Sequence, residues 1–305
     1  MCAPLATRCQ ALPRFVFLFL AVGIAAASQS GNIIRLAEAS PLAIAAWRLV
    51  IASALLAPLA GGRLRQLGRL SRRDTGLLVL AGLALAAHFV SWIAAVQHTT
   101  VANAAIFFAI NPVITALASH LVFGERLTPR LLGSIALGLF GVVAIGVSDF
   151  SLDRSQLRGD LLAVLSSVLF TAYFLIGKRL RGRLDNAVYV TALYGVAGAA
   201  GFAALFATGV PAAGYSPTTW LAFLLMALVP TMVGHSSMNY ALKYVGAARI
   251  SVFTLAEPLL AGLVAFFAWS EPVRPATTLG YLLICASVVV LVREKQVEAV
   301  EEEAG

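Results

Sequence analysis

From Asn111 to Val142 the chain reads NPVITALASHLVFGERLTPRLLGSIALGLFGV, and from Met238 to Pro272 it reads MNYALKYVGAARISVFTLAEPLLAGLVAFFAWSEP. Residues 95–143 align with 241–289 at a constant shift of 146, without a gap. Ala95, Ala102, Phe107, Pro112, Leu117, Glu125 and Pro129 meet Ala241, Ala248, Phe253, Pro258, Leu263, Glu271 and Pro275. Alanine matches are cheap in an apolar chain. The rarer Phe, Pro, Glu and Pro falling at one shift are not. The sequence is therefore built from two related halves.

What each half contains follows from composition. Of 305 residues, 60% are hydrophobic and 12% are Asp, Glu, Lys or Arg. Soluble domains carry about 25% charged residues. A water-soluble globule would need an apolar exterior, and intrinsic disorder needs the opposite composition. Three cysteines cannot build a disulfide scaffold. Cys2 and Cys9 lie in the N-terminal tail and Cys285 in the last apolar run, without metal-site spacing, so no disulfide and no metal are expected. The net charge of +8 does not mark a nucleic-acid binder, because the basic residues fall between long apolar runs. The composition points to an integral membrane protein.

A helix needs about 20 mainly apolar residues to cross the hydrocarbon core. Ten segments qualify: 14–36, 41–60, 75–97, 101–122, 130–148, 159–178, 187–208, 217–242, 246–270 and 276–293. The runs are too continuously apolar for the alternating strands of a membrane barrel. If both termini share one side, that side holds seventeen Lys and Arg, against four (Arg35, Arg154, Arg158, Arg274) on the other and Arg48 inside a span. This positive-inside bias predicts cytoplasmic termini and a multi-pass cell membrane location, a bacterial inner membrane. Arg8 and Arg14, Phe15 to Ile24, and Ala25-Ala26-Ala27-Ser28 also resemble a cleavable signal peptide, but apolar character resumes at Ile33-Ile34 and the first half needs this span. The expected fold is all-α, ten transmembrane helices in two five-helix repeats, 14–148 and 159–293, with tails 1–13 and 294–305. Five is odd, so the second repeat enters the membrane inverted. Inverted repeats are the architecture of alternating-access carriers.

The two quoted stretches resemble the paired repeats of the drug/metabolite transporter superfamily, the EamA-type carriers. The shared features are Glu125 and Glu271 at helix ends, Pro129 and Pro275 after them, Ala241-Leu242-Lys243-Tyr244, and Glu257-Pro258. One departure is Ser270-Glu271, where the family usually has Gly-Glu. The resemblance covers 14–293 and implies ten helices and small organic substrates, often amino acids or their relatives, frequently exported.

Polar groups inside a membrane are costly and default to cavity lining or helix contacts. Helical spacing places His88, Ser91 and Trp92 on one face of span three, His235 and Asn239 on one face of span eight, and Ser166, Phe170 and Tyr173 on one face of span six. Ser28 and Asn32 share a face in span one, where close helix packing is the competing reading. Asn103, Phe107 and Asn111 step by four in span four, as Arg249, Phe253 and Glu257 do in span nine. His88, Trp92, Tyr173, His235 and Asn239 are the expected substrate contacts. Each also has an ordinary reading as a packing or hydrogen-bonding group. Glu125 and Glu271, at helix ends, are read as structural. Arg48 can snorkel, pair with a carboxylate or bind substrate. Pro112, Pro230 and Pro258 are expected to kink their spans.

Glu257 is the one carboxylate near the middle of a span. Burial disfavours its charged form, which suits a proton carrier. Substrate-amine binding and a structural pair are the alternatives. No cofactor is expected, and the expected partners are a small-molecule substrate, the lipid bilayer and a coupling proton, with the chain a monomer or weak dimer. The expected function is a secondary transporter, an exporter of neutral or zwitterionic metabolites such as amino acids. The alternatives are efflux of drugs or toxic cations and, remotely, an intramembrane enzyme. Gly234-His235-Ser236-Ser237-Met238 lacks the second Gly of a nucleophile elbow. There is no P-loop for ATP.

The topology predicts that a cysteine placed at Gly68 reacts with membrane-impermeant maleimide only after the cytoplasmic face is opened. Labelling from outside intact cells would overturn it.

Overall fold

Polar caps start several of the helices. Ser40, Ser71, Thr100 and Ser216 each accept the backbone N–H three residues ahead, satisfying donors that a helix leaves unpaired at its start. Pro41, Pro129, Pro217 and Pro275 open helices, where a missing N–H costs nothing. The computed structural model describes residues 14–146, 156–270 and 275–304. Cys2, Cys9, Arg154, Glu271 and Arg274 lie outside them.

Ten helices among the described residues are long and apolar enough to cross a membrane. They are span one (Phe15–Ile34), two (Pro41–Arg69), three (Arg72–His98), four (Asn103–Phe123), five (Pro129–Gly146), six (Leu157–Arg181), seven (Asn186–Thr208), eight (Pro217–Ala241), nine (Ala247–Ala268) and ten (Pro275–Arg293). Several outrun the apolar segments. Span three starts at Arg72 and span six runs to Arg181. Basic residues end the apolar run but not the helix, because the backbone bonds continue whatever the side chain does: Arg72 is exposed there, whereas Arg181 is buried. Span two continues as a 3₁₀ turn, Gly61–Arg69.

The repeat is present in the backbone. Val101–Phe108 and Asn111–Phe123 in span four match Ala247–Thr254 and Glu257–Trp269 in span nine at the same shift. Even the left-handed residue that ends each pair matches, Gly124 (φ 68°) and Ser270 (φ 54°). Spans five and ten pack together, as do two and seven. Span three packs on six and span one on eight, which is the same contact with the halves exchanged.

Mated spans run antiparallel. Gly141 lies against Gly280, and seven residues earlier Ser134 O accepts from Ser287 Oγ at 2.7 Å. A Cβ on Gly141 would lie 2.9 Å from Gly280 O, so bare backbone is needed there. Gly198 meets Val50 while Gly201 meets Ala46, again in opposite senses. Inverted halves require this antiparallel arrangement.

Besides span two with its 3₁₀ end, four spans depart from a continuous α-helix among the described residues. Span one breaks at Ser28-Gln29, span four at Ala109-Ile110 and span nine at Leu255-Ala256. Span eight passes through a π-helical stretch, Ala227–His235, around Pro230. Pro112 and Pro258 each stand second in the helix after a break. In span one the break has no proline. Ser28 Oγ donates to Ala25 O at 2.8 Å and Gln29 Nε2 to Ser28 Oγ at 2.8 Å, so side chains compete with the helix ladder.

Glu125 fastens three spans. Its carboxylate accepts from the N–H groups of Ala247 (3.1 Å) and Ala248 (3.3 Å) at the start of span nine and from Ser119 Oγ (3.1 Å). It also pairs with Lys178 near the end of span six. A Cβ on Gly246 would lie 2.9 Å from Glu125 Oε2. The role is the structural one expected from its helix-end position.

Two stability predictions follow from these joints. Glu125→Ala leaves Lys178 unpaired and uncaps span nine, and should cost about 3 kcal/mol, seen as a lower unfolding midpoint in detergent. An unchanged midpoint would contradict the fastening role. Ser270→Gly relieves a left-handed backbone and should gain about 0.5–1 kcal/mol, while Gly124→Ala should lose about 1 kcal/mol. Opposite shifts of the midpoint test the pair.

Candidate functional site

The breaks in spans one, four and nine face a common cavity of about 90 Å³. Ala27, Ser28, Ser30 and Gly31 line it from span one, Ala105, Phe108 and Ala109 from span four, and Thr254, Leu255, Glu257, Pro258 and Ala261 from span nine. Trp92 of span three and Val142 of span five complete the wall. Phe108 and Thr254 stand four residues before Pro112 and Pro258. Their carbonyls are the ones that lose a helical donor to proline.

Among the described residues Glu257 is the only ionisable side chain on this wall. It is the first residue of the second half of span nine, where the helix N-terminus favours negative charge. Among the described residues no hydrogen bond or ion pair takes its carboxylate. Its mate Asn111 occupies the same helix position with a different fate. Asn111 Nδ2 donates to Ser167 O (3.3 Å) and Thr171 Oγ1 (3.2 Å), which binds it into span six.

The polar stretch of span one divides between two tasks. Ser28, Ser30 and Gly31 line the cavity. Asn32 Nδ2 donates to Ala261 O at 3.2 Å and Gln29 Nε2 reaches Leu260 O at 3.5 Å, tying span one to the second half of span nine.

Of the five expected substrate contacts, Trp92 lines the cavity. Three others lie beside it in one buried aromatic cluster. Trp92 packs on Phe108 (5.2 Å between centroids), and Phe108 packs on His88 (5.9 Å) and Phe170 (5.9 Å). His88 Nδ1 lies 2.8 Å from Ser166 Oγ, and Tyr173 Oη lies 2.9 Å from His235 Nδ1. The rings of His88 and His235 are 6.1 Å apart. Phe108 thus both lines the cavity and packs on His88 and Phe170 of that cluster. Asn239, buried one turn beyond His235, donates Nδ2 to His235 O at 2.8 Å and accepts from Arg181 Nε at its own carbonyl (3.1 Å).

Arg48 neither snorkels nor meets a carboxylate among the described residues. It is 1% exposed, donates Nε to Thr231 Oγ1 at 2.8 Å and lies 3.8 Å over the Phe89 ring. Both terminal nitrogens are buried without a hydrogen-bond partner among the described residues. Its receptor, Thr231, sits in the π-helical stretch of span eight and donates in turn to Met226 O, five residues back (2.8 Å). Ser236 Oγ faces Tyr194 Oη (3.1 Å) rather than His235.

Several residues of this site escape helical-spacing arguments. The face of Asn103, Phe107 and Asn111 does not form the cavity wall. Asn103 Nδ2 reaches Gln156 Oε1 (3.2 Å) and Asp160 Oδ1 (3.4 Å) at span six. The wall residues are Phe108 and Thr254. Counting four residues back from each intramembrane proline finds both, whereas a face count across a broken helix does not.

Comparison with known proteins agrees with this architecture. The chain is 30% identical to an uncharacterized transporter of Archaeoglobus fulgidus over 231 residues, 76% of this chain and 80% of the relative. It is 21% identical to the uncharacterized transporter YyaM of Bacillus subtilis, over 82% of this chain and 84% of that one. A solved crystal structure of a protein 19% identical superposes with a TM-score of 0.75, covering 91% of this chain and 96% of the other, a likeness of fold. Residues 14–147 and 157–293 each match the EamA-like transporter family, and this multi-pass membrane protein belongs to that family.

Proposed function

We propose that the chain is a secondary transporter of small organic molecules that bear a protonated amine on an apolar body, amino acids among them. The observation that carries this reading is Glu257, a carboxylate with no partner among the described residues, on the wall of a cavity where three broken helices meet. A cation of the substrate would supply the missing charge. Trp92 and Phe108 would add their ring faces, a favourable surface for an ammonium group.

In this reading the two halves rock about the cavity with the second half inverted and the termini cytoplasmic, so that Glu257 is exposed to each side in turn. A proton and the substrate then compete for one carboxylate. Loading of a proton from outside would release the substrate, and the proposed direction is export. His88, Tyr173, His235 and Asn239 are proposed to shape the site from behind Phe108, with Trp92 in direct contact.

A second reading has a specific observation behind it. Among the described residues no Lys, Arg or His lines the cavity, so the carboxylate of a zwitterion finds no cationic partner among them. That favours lipophilic amines without an acid group, the drug or toxic-cation class.

Glu257→Gln keeps shape and hydrogen bonding but cannot ionise. In proteoliposomes it should lose uphill transport driven by a pH gradient. A fall in affinity for amines, measured on the same preparation, should accompany that loss. Full pH-driven uptake by the Gln variant would refute the proposal. Competition by decarboxylated amines as strong as that by the parent amino acids would decide for the second reading.

A further inference from the structure

A second cavity, of about 370 Å³, lies far in sequence from the first and is not used by the transport reading. It opens where the end of span two, the connection between spans six and seven, and the end of span eight come together. Three cations from three different segments converge on it: Arg63, Arg181 and Lys243. Convergence from three segments distinguishes this cluster from a run of charge along one helix.

The cations keep donors to offer. Arg181 is buried, with Nε given to Asn239 O and Nη1 to Leu184 O. No partner among the described residues takes its Nη2. Arg63 is exposed and bonds the end of its own helix through Nη2 to Leu59 O at 2.6 Å and through Nε to Ala60 O at 3.4 Å. Lys243 is exposed, with its ammonium 5.8 Å from the centroid of the Tyr244 ring. Among the described residues one carboxylate, Asp185, borders the cavity, and its Oδ2 accepts from Gln66 Nε2 at 2.5 Å. The site therefore keeps an excess of positive charge, with guanidinium and ammonium donors that suit a phosphate.

The other wall is apolar. Leu56 and Leu59 of span two line it, and Leu59 is 63% exposed on the surface that a membrane-spanning helix presents to lipid. A free phosphate compound has no use for such a wall. An acyl chain lying beside span two would cover it. Basic pockets between membrane helices at the positive end of a protein are the places where anionic headgroups dock.

We propose that this cavity is a binding site for the headgroup of an anionic phospholipid, its phosphate held by Arg63, Arg181 and Lys243 and its chain running along Leu59. The bound lipid bridges the first half, through span two, and the second half, through the connection between spans six and seven and the end of span eight. It therefore stabilises the arrangement of the halves seen here.

The test is the unfolding midpoint of the purified protein in nanodiscs of phosphatidylglycerol against nanodiscs of phosphatidylcholine. The wild type should unfold several degrees higher in phosphatidylglycerol. The Arg63→Gln/Lys243→Gln double variant should keep the phosphatidylcholine midpoint and lose most of the increment. Arg65→Gln/Arg69→Gln removes two nearby cations that do not line the cavity, and should keep the increment. Equal midpoints in the two lipids would overturn the proposal. So would an equal loss in both double variants, which means diffuse surface charge. Glycerol 3-phosphate added to phosphatidylcholine nanodiscs is the remaining arm. If it reproduces the full increment, the ligand is a free phosphate compound and the lipid assignment falls. None of these readouts depends on transport, so failure here leaves the Glu257 reading standing, and the reverse.

Discussion

The hydrocarbon interior offers the backbone no water, and every other feature of this protein works within that constraint. A helix crossing the membrane satisfies its own N–H and C=O groups. A helix that breaks midway must find partners in protein or face a cavity. Here the breaks of spans one, four and nine do not scatter over the lipid surface. They face one cavity. The polar side chains of span one, Gln29 and Asn32, reach across to carbonyls of span nine just beyond its break. The irregular backbone is confined to the interior of the protein, and the candidate site is the place where that confinement is met.

Duplication supplied the scaffold and divergence supplied the chemistry. Spans four and nine place helix breaks, helix starts and left-handed caps at matched positions. At the matched pair that opens the second half-helices, Asn111 and Glu257, the similarity ends. The neutral amide spends its donors on span six. The carboxylate faces the cavity. The same division recurs at the cap, where Gly124 adopts a left-handed backbone without cost and Ser270 adopts it under strain.

Beside the cavity the protein keeps a dense cluster of His88, Phe108, Phe170, Tyr173 and His235, with the Arg48 guanidinium stacked on the adjoining Phe89. A buried cation that meets no carboxylate among the described residues relies on an aromatic face and one hydroxyl for compensation. Its receptor, Thr231, lies in the π-helical part of span eight, a departure from regular helix that often accompanies functional positions. The cluster joins spans three, four, six and eight, and its member Phe108 also lines the cavity.

Ten spans, two related halves, an acid within span nine and departures from regular helix at Pro112, Pro230 and Pro258 were all legible in the residues. Apolar length, a constant alignment shift and the cost of an acid in hydrocarbon are local or additive properties, and a linear string carries them. The helix-end position of Glu125 likewise pointed to a structural role, though not to its partners Ala247, Ala248 and Lys178. What only the tertiary structure decided is which polar faces meet. Face counting brought His88, Trp92, Tyr173, His235 and Asn239 to one cavity, whereas of these only Trp92 lines it. None of the five lies on a span broken at Ser28-Gln29, Ala109-Ile110 or Leu255-Ala256: His88 and Tyr173 stand on unbroken helices, and helical spacing says which residues share a face but not what that face meets, here Phe108, Phe170 and His235. Contact between distant segments, such as Asn103 with Asp160 or Arg48 with Thr231, depends on how helices pack in three dimensions, and no periodicity along a single chain encodes it.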